Sequence, residues 1–187
     1  MPLGAARFGL LGGVADLGKL ELIETQTVSS VSSADFTSLG SYNVHFLTFN
    51  NIDLSTTANL YARLSNNGGS SYISSGYQYA TQRGNATGSF DELKSTSTSY
   101  LQSVFTDNGG LGTNETKEGY SYFYNLLDSS KYSFGTGMSL STNSVAQHIM
   151  MFGSAVLPTA EIHNAIRVLP NTGTMSGTVS LYGIAES

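Results

Sequence analysis

The chain contains no cysteine and no tryptophan, only three prolines, and charged side chains at just 11% of its 187 positions. Without cysteine there can be no disulfide, thiolate nucleophile or thiolate metal ligand. Stability must come without covalent cross-links, and a chain of this length buries roughly 70% of its unfolded surface. No stretch reaches the ~18 consecutive apolar residues that mark a membrane-spanning helix, so no membrane insertion is expected. Eight Lys and Arg stand against thirteen Asp and Glu, for a net charge of −5 and a pI near 5.0. The basic residues are scattered and form no stripe suited to phosphates, so nucleic acid is not an expected partner. An ordinary protein carries about 25% charged residues. Here Ser, Thr, Asn, Gly and tyrosine hydroxyls must keep the surface wet, as in extracellular β proteins and in subunits that meet many neighbours.

Signatures of catalysis are equally scarce. There is no Gly-x-Ser-x-Gly elbow, no P-loop and no dinucleotide fingerprint. The histidines, His45, His148 and His163, lie far apart and lack the short spacing of metal pairs. The carboxylate pairs Asp91/Glu92 and Glu115/Glu118 fall in polar stretches and read as solvated charge. The segment "DNGGLGTNE" (107–115) offers oxygen ligands but not the EF-hand spacing. The expectation is a protein without cofactor, metal or catalytic residues, and not an enzyme.

What is present is β grammar after an unusual start. Residues 1–20 hold five glycines in their first eighteen positions and show neither strand nor helix period. They are expected to form an N-terminal docking arm, with Leu3, Arg7, Phe8, Leu10 and Leu11 as partner-binding residues. Residues 21–187 are expected to form one all-β domain: an antiparallel β-sandwich, jelly-roll-like, of eight to ten short strands with turn signals every 8–12 residues.

Several strands stand out. "LELIETQTV" (20–28) alternates in part. "YNVHFLTFNNI" (42–52) is apolar on both faces and reads as a central strand covered on both sides. "NLYARLS" (59–65), the turn "NNGGS" and "SYISSGYQY" (71–79) read as a hairpin. "YSYFYNLL" (120–127) and "KYSFGTGMSLS" (131–141) read as a second one. "SVAQHIMMFGSAV" (144–156) reads as strand rather than helix, because it has no caps. "EIHNAIRVLP" (161–170) ends at a proline, and "GTVSLYGI" (177–184) reads as a last strand that closes a sheet.

Two long polar segments, 80–98 and 106–119, read as outward loops. Asn85, Asp91, Asn108 and Asn114 on them are candidate receptor-facing residues. Tyr120, Tyr122 and Tyr124 are two apart, so they share a face and form an aromatic stripe. Tyr72, Tyr77 and Tyr79 suggest another. Such stripes suit protein contacts and also sugar rings. From 132 to 160 no Asp, Glu, Lys or Arg occurs over 29 residues. Exposed strands normally carry charge against stray pairing, so this neutral run is expected to be covered, by the other sheet or by a neighbouring subunit.

Three segments carry a resemblance: the start "MPLGAARFGL", the stretch "LELIETQTVSSVSSADFTSL" (20–39) and the end "IRVLPNTGTMSGTVSLYGI" (166–184). In these the chain resembles small virion proteins of tailed bacteriophages, especially those of marine bacteria and cyanobacteria. The likeness covers mainly the two ends. It implies a β-sandwich built into the virion, as a tail-fibre or host-attachment component or as a capsid decoration (cement) protein. It implies a homotrimer, with a tail adaptor or the major capsid protein as further partner and a host surface glycan as a possible ligand. A free carbohydrate-binding module is the third reading.

Overall fold

The computed structural model describes residues 18–102, 114–142 and 145–186. Among them the chain forms eleven strands and no helix: β1 (Leu20–Val31), β2 (Ala34–Phe36), β3 (Val44–Leu54), β4 (Leu60–Ser65), β5 (Tyr77–Asn85), β6 (Phe90–Thr98), β7 (Lys117–Tyr124), β8 (Ser133–Thr142), β9 (His148–Leu157), β10 (Ala165–Pro170) and β11 (Met175–Ile184). They make two antiparallel sheets. The large one has eight strands in the order β1-β11-β3-β7-β8-β9-β5-β6, and the small one has the order β2-β10-β4.

The core lies between the sheets. Leu60, Ala62 and Leu64 of β4, Ile166 and Val168 of β10, and Ala34 and Phe36 of β2 belong to one buried cluster with Leu47 and Phe49 of β3, Phe123 of β7 and Val179 and Leu181 of β11. Each contributes through its period-two alternation, which sends every second side chain inward. β3 shows how that phase is kept. A register shift falls between Phe49 and Ile52, and Asn51 takes a positive φ of 52°, which asparagine tolerates. This bulge returns Ile52 and Leu54 to the interior. Its extra N–H, on Asn51, donates to Glu118 Oε1 at 2.9 Å.

The all-β antiparallel sandwich agrees with the sequence pattern, as do the β7–β8 hairpin and the strand character of 148–157. The sandwich is unequal, eight strands against three, and its register does not establish the jelly-roll path expected. The docking-arm residues Leu3, Arg7, Phe8, Leu10 and Leu11 lie outside the described residues. From Gly18 onward the chain is already tied down: its N–H donates to the Ala185 carbonyl at 3.0 Å, and the Ala185 N–H to the Lys19 carbonyl at 2.9 Å.

Four expectations need correction. First, 59–65 and 71–79 are not a hairpin. β4 pairs with β10, and β5 pairs with β6 and β9 in the other sheet. Residues after the turn instead run along the edge of β4 away from β10, where the Ile73 N–H donates to the Leu64 carbonyl at 2.9 Å and Ala62 is bridged to Leu101. Second, 80–98 is not a loop but the β5–β6 hairpin. Its polarity misled because β6 is an edge strand, and edge strands carry charge such as Glu92 and Lys94. Third, β11 does not seal an edge. It lies between β1 and β3, and β1 pairs with it alone within the large sheet. Fourth, β3 is interior to its sheet but buried on one face; Val44, Phe46 and Thr48 on the other face are only half-buried.

Candidate functional surface

The second face of the large sheet is where the side chains unaccounted for by the core converge. In β7 the odd positions Ser121 and Phe123 are buried, so the even ones, Tyr120, Tyr122 and Tyr124, point away from the core. This is the stripe expected from the sequence. The ladders extend it across the sheet. Tyr122 faces Phe46 on β3, and Phe46 faces Tyr182 on β11. The Phe46 ring centroid lies 4.7 Å from that of Tyr122, 5.9 Å from Tyr120 and 6.2 Å from Tyr182. Tyr122 in turn lies 5.9 Å from Tyr120 and 6.4 Å from Tyr124. Five rings thus form one continuous patch, at spacings where aromatic pairs attract.

The patch continues on the other side of β7. Outward positions of β8 and β9 include Phe134, Leu140 and Phe152, all exposed, with Met138, Met150 and Val156 half-buried. This is the charge-free stretch 132–160 seen in the sequence. On β8, β9 and β11 the outward side chains, among the described residues, include no Asp, Glu, Lys or Arg; on β3 only Asp53 and on β7 only Glu118, each near one end of its strand, are charged. Toward β6, small residues leave depressions in the surface. One of about 650 Å³ is bordered by Ala80, Ser154, Phe134, Val156 and Lys94. The next, of about 390 Å³, is bordered by Ala80, Gln82, Phe152 and Lys94.

The remaining candidate residues lie apart from this face or serve local structure. Asn85 ends β5, and its carbonyl and side-chain oxygen accept the N–H groups of Gly88 and Thr87 to shape the hairpin turn. Asp91 is in β6, with Oδ2 2.7 Å from Arg83 Nη2 on the paired strand. Glu92, on the opposite face, lies 3.4 Å from Lys94. Asn114 is exposed at the start of the described segment before β7, and Asn108 lies outside the described residues. The second tyrosine set is not a stripe. Tyr77 is wholly buried, with its hydroxyl donating to the Ile73 carbonyl at 3.2 Å, and Tyr72 lies under Arg167, 4.0 Å from guanidinium to ring centroid.

One arrangement deserves chemical scrutiny because its residue types suit catalysis. His163 Nδ1 is 2.7 Å from Ser133 Oγ, and its Nε2 is 3.3 Å from Glu161 Oε1. Both Ser133 and His163 are fully buried. Burial pushes the His163 pKa down against the opposing pull of Glu161. A nucleophile must touch its substrate, and this serine has no exposed surface to offer. The trio joins β8 to the segment before β10. His45 is buried in the same way: its Nε2–H donates to the Leu39 carbonyl at 2.8 Å, and burial lowers its pKa. Among the described residues no three His, Asp or Glu side chains converge as metal ligands would.

Sequence reasoning found the tyrosine stripe but missed Phe46, Tyr182, Phe134 and Phe152. Alternation had placed Val44, Phe46 and Thr48 on one side of their strand. Which side faced the core required knowing the ladder partners. No protein-family model matches the chain, and no curated protein matches it.

Proposed function

We propose that this chain is a structural subunit of a bacteriophage particle, displayed on its surface as a tail-fibre or host-attachment component and fastened through residues 1–20. One observation carries the reading: a broad outer sheet face, aromatic and nearly free of charge. Monomeric proteins seldom leave so large an apolar patch to water, and such patches mark sites of association. A subunit that assembles needs a face of this kind, and interface cores are enriched in Tyr, Phe and Met and depleted of charge. The likeness of both chain ends to small virion proteins supports the same reading.

A second reading, a capsid decoration protein, is favoured by the breadth of that face, which suits seating on a shell. Imaging of labelled virions tests both. Label at the tail supports the attachment role, and label over the head supports decoration. Particles that lack the protein altogether remove the virion reading.

A further inference from the structure

We infer that the outer face of the large sheet pairs with the same face of a second copy, about a two-fold axis running along the strands between β7 and β8. The inference rests on the reading of this chain as an assembling subunit and names its first partner.

The argument is one of relief. The ladders place Tyr122, Phe46 and Tyr182 in one row across β7, β3 and β11. The same row continues on the other side as Thr136, Ser154 and Ala80 across β8, β9 and β5. One half of the row is therefore a ridge of rings and the other half a trough. The trough is walled by Phe134 and Val156 on one side and Phe152 on the other, and it holds the two depressions described above.

A two-fold axis along the strands exchanges the halves and leaves each row in place. It sets Tyr122 against Thr136, Phe46 against Ser154, and Tyr182 against Ala80 of the second copy. In the adjacent row the small Thr48 meets Phe152, and Tyr120 meets Met138 beside the axis. Large thus meets small along the central row and at Thr48, which suits an isologous contact between self-complementary surfaces. An axis across the strands would instead stack Phe46 on its own counterpart and leave the trough empty. Aligned packing of two sheets is a standard arrangement, with side chains interdigitating over about 10 Å.

The area suffices. Six strands, β11 to β5, span roughly 30 Å, and the outward rows extend roughly 25 Å, from the usual strand and residue spacings. That is about 750 Å² per copy, close to the ~800 Å² that each partner contributes to a stable specific interface. Charge on the face from β11 to β9 is confined to Asp53 and Glu118, near one end of β3 and β7, so little desolvation penalty opposes such burial.

Sedimentation velocity of the purified 187-residue chain tests this, together with cysteine variants that the cysteine-free background makes clean. The chain should sediment as a dimer in the micromolar range. Ser154→Arg, at an exposed position, should fill the trough and weaken pairing by at least about 30-fold, the loss expected at an interface hot spot, with the melting curve of the monomer unchanged. Under mild oxidation, Phe46→Cys mixed with Ser154→Cys should give a disulfide-linked dimer, and neither variant alone should. A monomeric chain, a trimer without that cross-link, a dimer indifferent to Ser154→Arg, or cross-linking by Phe46→Cys alone each overturns the inference. If residues 1–17 or an unlike virion protein occupy the face, the purified chain will be monomeric, which also overturns it. Virion location is read separately by imaging, so loss of the pairing and loss of the virion role are distinguishable.

Discussion

The hydroxyl of Tyr77 accepts the backbone N–H of Leu64 at 2.9 Å, linking the first residue of β5 to the edge of β4 in the opposite sheet. The same hydroxyl donates to the Ile73 carbonyl. Both ends of this bridge are wholly buried, and burial pushes the tyrosine pKa up to about 12. An edge N–H that would otherwise be orphaned or open to stray pairing is satisfied by one side chain.

Tyr77→Phe should therefore destabilise the fold by about 1–3 kcal/mol, the cost of a buried donor left without a partner. The ring still fills its space, so the loss isolates the hydroxyl. Urea unfolding of the two proteins measures it, and an unchanged midpoint would refute the bridge.

Stability should fall on mild acidification. His45 and His163 both have pKa values lowered by burial, so the unfolded chain binds protons near pH 6.5 that the folded one refuses. Their contribution is whole above about pH 6.5 and declines as pH drops toward the lowered folded values. Melting temperatures between pH 7 and pH 5 should show the decline. His45→Gln and His163→Gln should each flatten the slope, and an unaltered slope in both would count against this assignment.

Gly183 packs beneath Tyr42: a Cβ there would run into the Tyr42 ring. That ring is itself held by a hydrogen bond from its hydroxyl to Glu21 Oε2 at 2.6 Å. Gly183→Val should cost about 1–3 kcal/mol through overpacking. In a Tyr42→Ala background the same substitution should cost much less, because the two effects are coupled. Equal costs in the two backgrounds would show that the ring does not set the constraint.

Arg167 donates two hydrogen bonds to Asp35, at 2.7 and 2.6 Å, across the β10–β2 ladder, and stacks on Tyr72. Lysine supplies the charge but neither the planar fork nor the stack. Both partners are about a third exposed, so solvent screens the pair. Arg167→Lys should lose about 1 kcal/mol, seen as a lower unfolding midpoint. A loss no different at high salt would assign the effect to stacking rather than charge.

The tyrosine stripe shows how far local pattern reaches. Tyr120, Tyr122 and Tyr124 share a face because side chains alternate along any strand. No partner need be known for that inference. The hairpin of β7 and β8 was legible for a similar reason: its two runs are joined across the polar turn Asp128, Ser129 and Ser130. The segment 80–98 failed the same test, since an edge strand has little apolar face to show. The supposed partnership of 59–65 with 71–79 failed because closeness in sequence does not compel pairing. β10 occupies one edge of β4, Ile73 and Leu101 hydrogen-bond along the other, and β5 lies in the larger sheet.

By itself, then, the amino-acid order determined the class of structure: strands without helices, built from alternation, turn residues and a neutral composition. Those are properties of neighbours along the chain. Only the tertiary structure decided that Phe46 and Tyr182 join Tyr122 on an outer face, opposite a trough of small side chains. Such neighbours lie far apart in sequence, 136 residues in the case of Phe46 and Tyr182. A one-residue slip in register would turn either ring to the core, so the long-range ladder, and nothing local, selects the face.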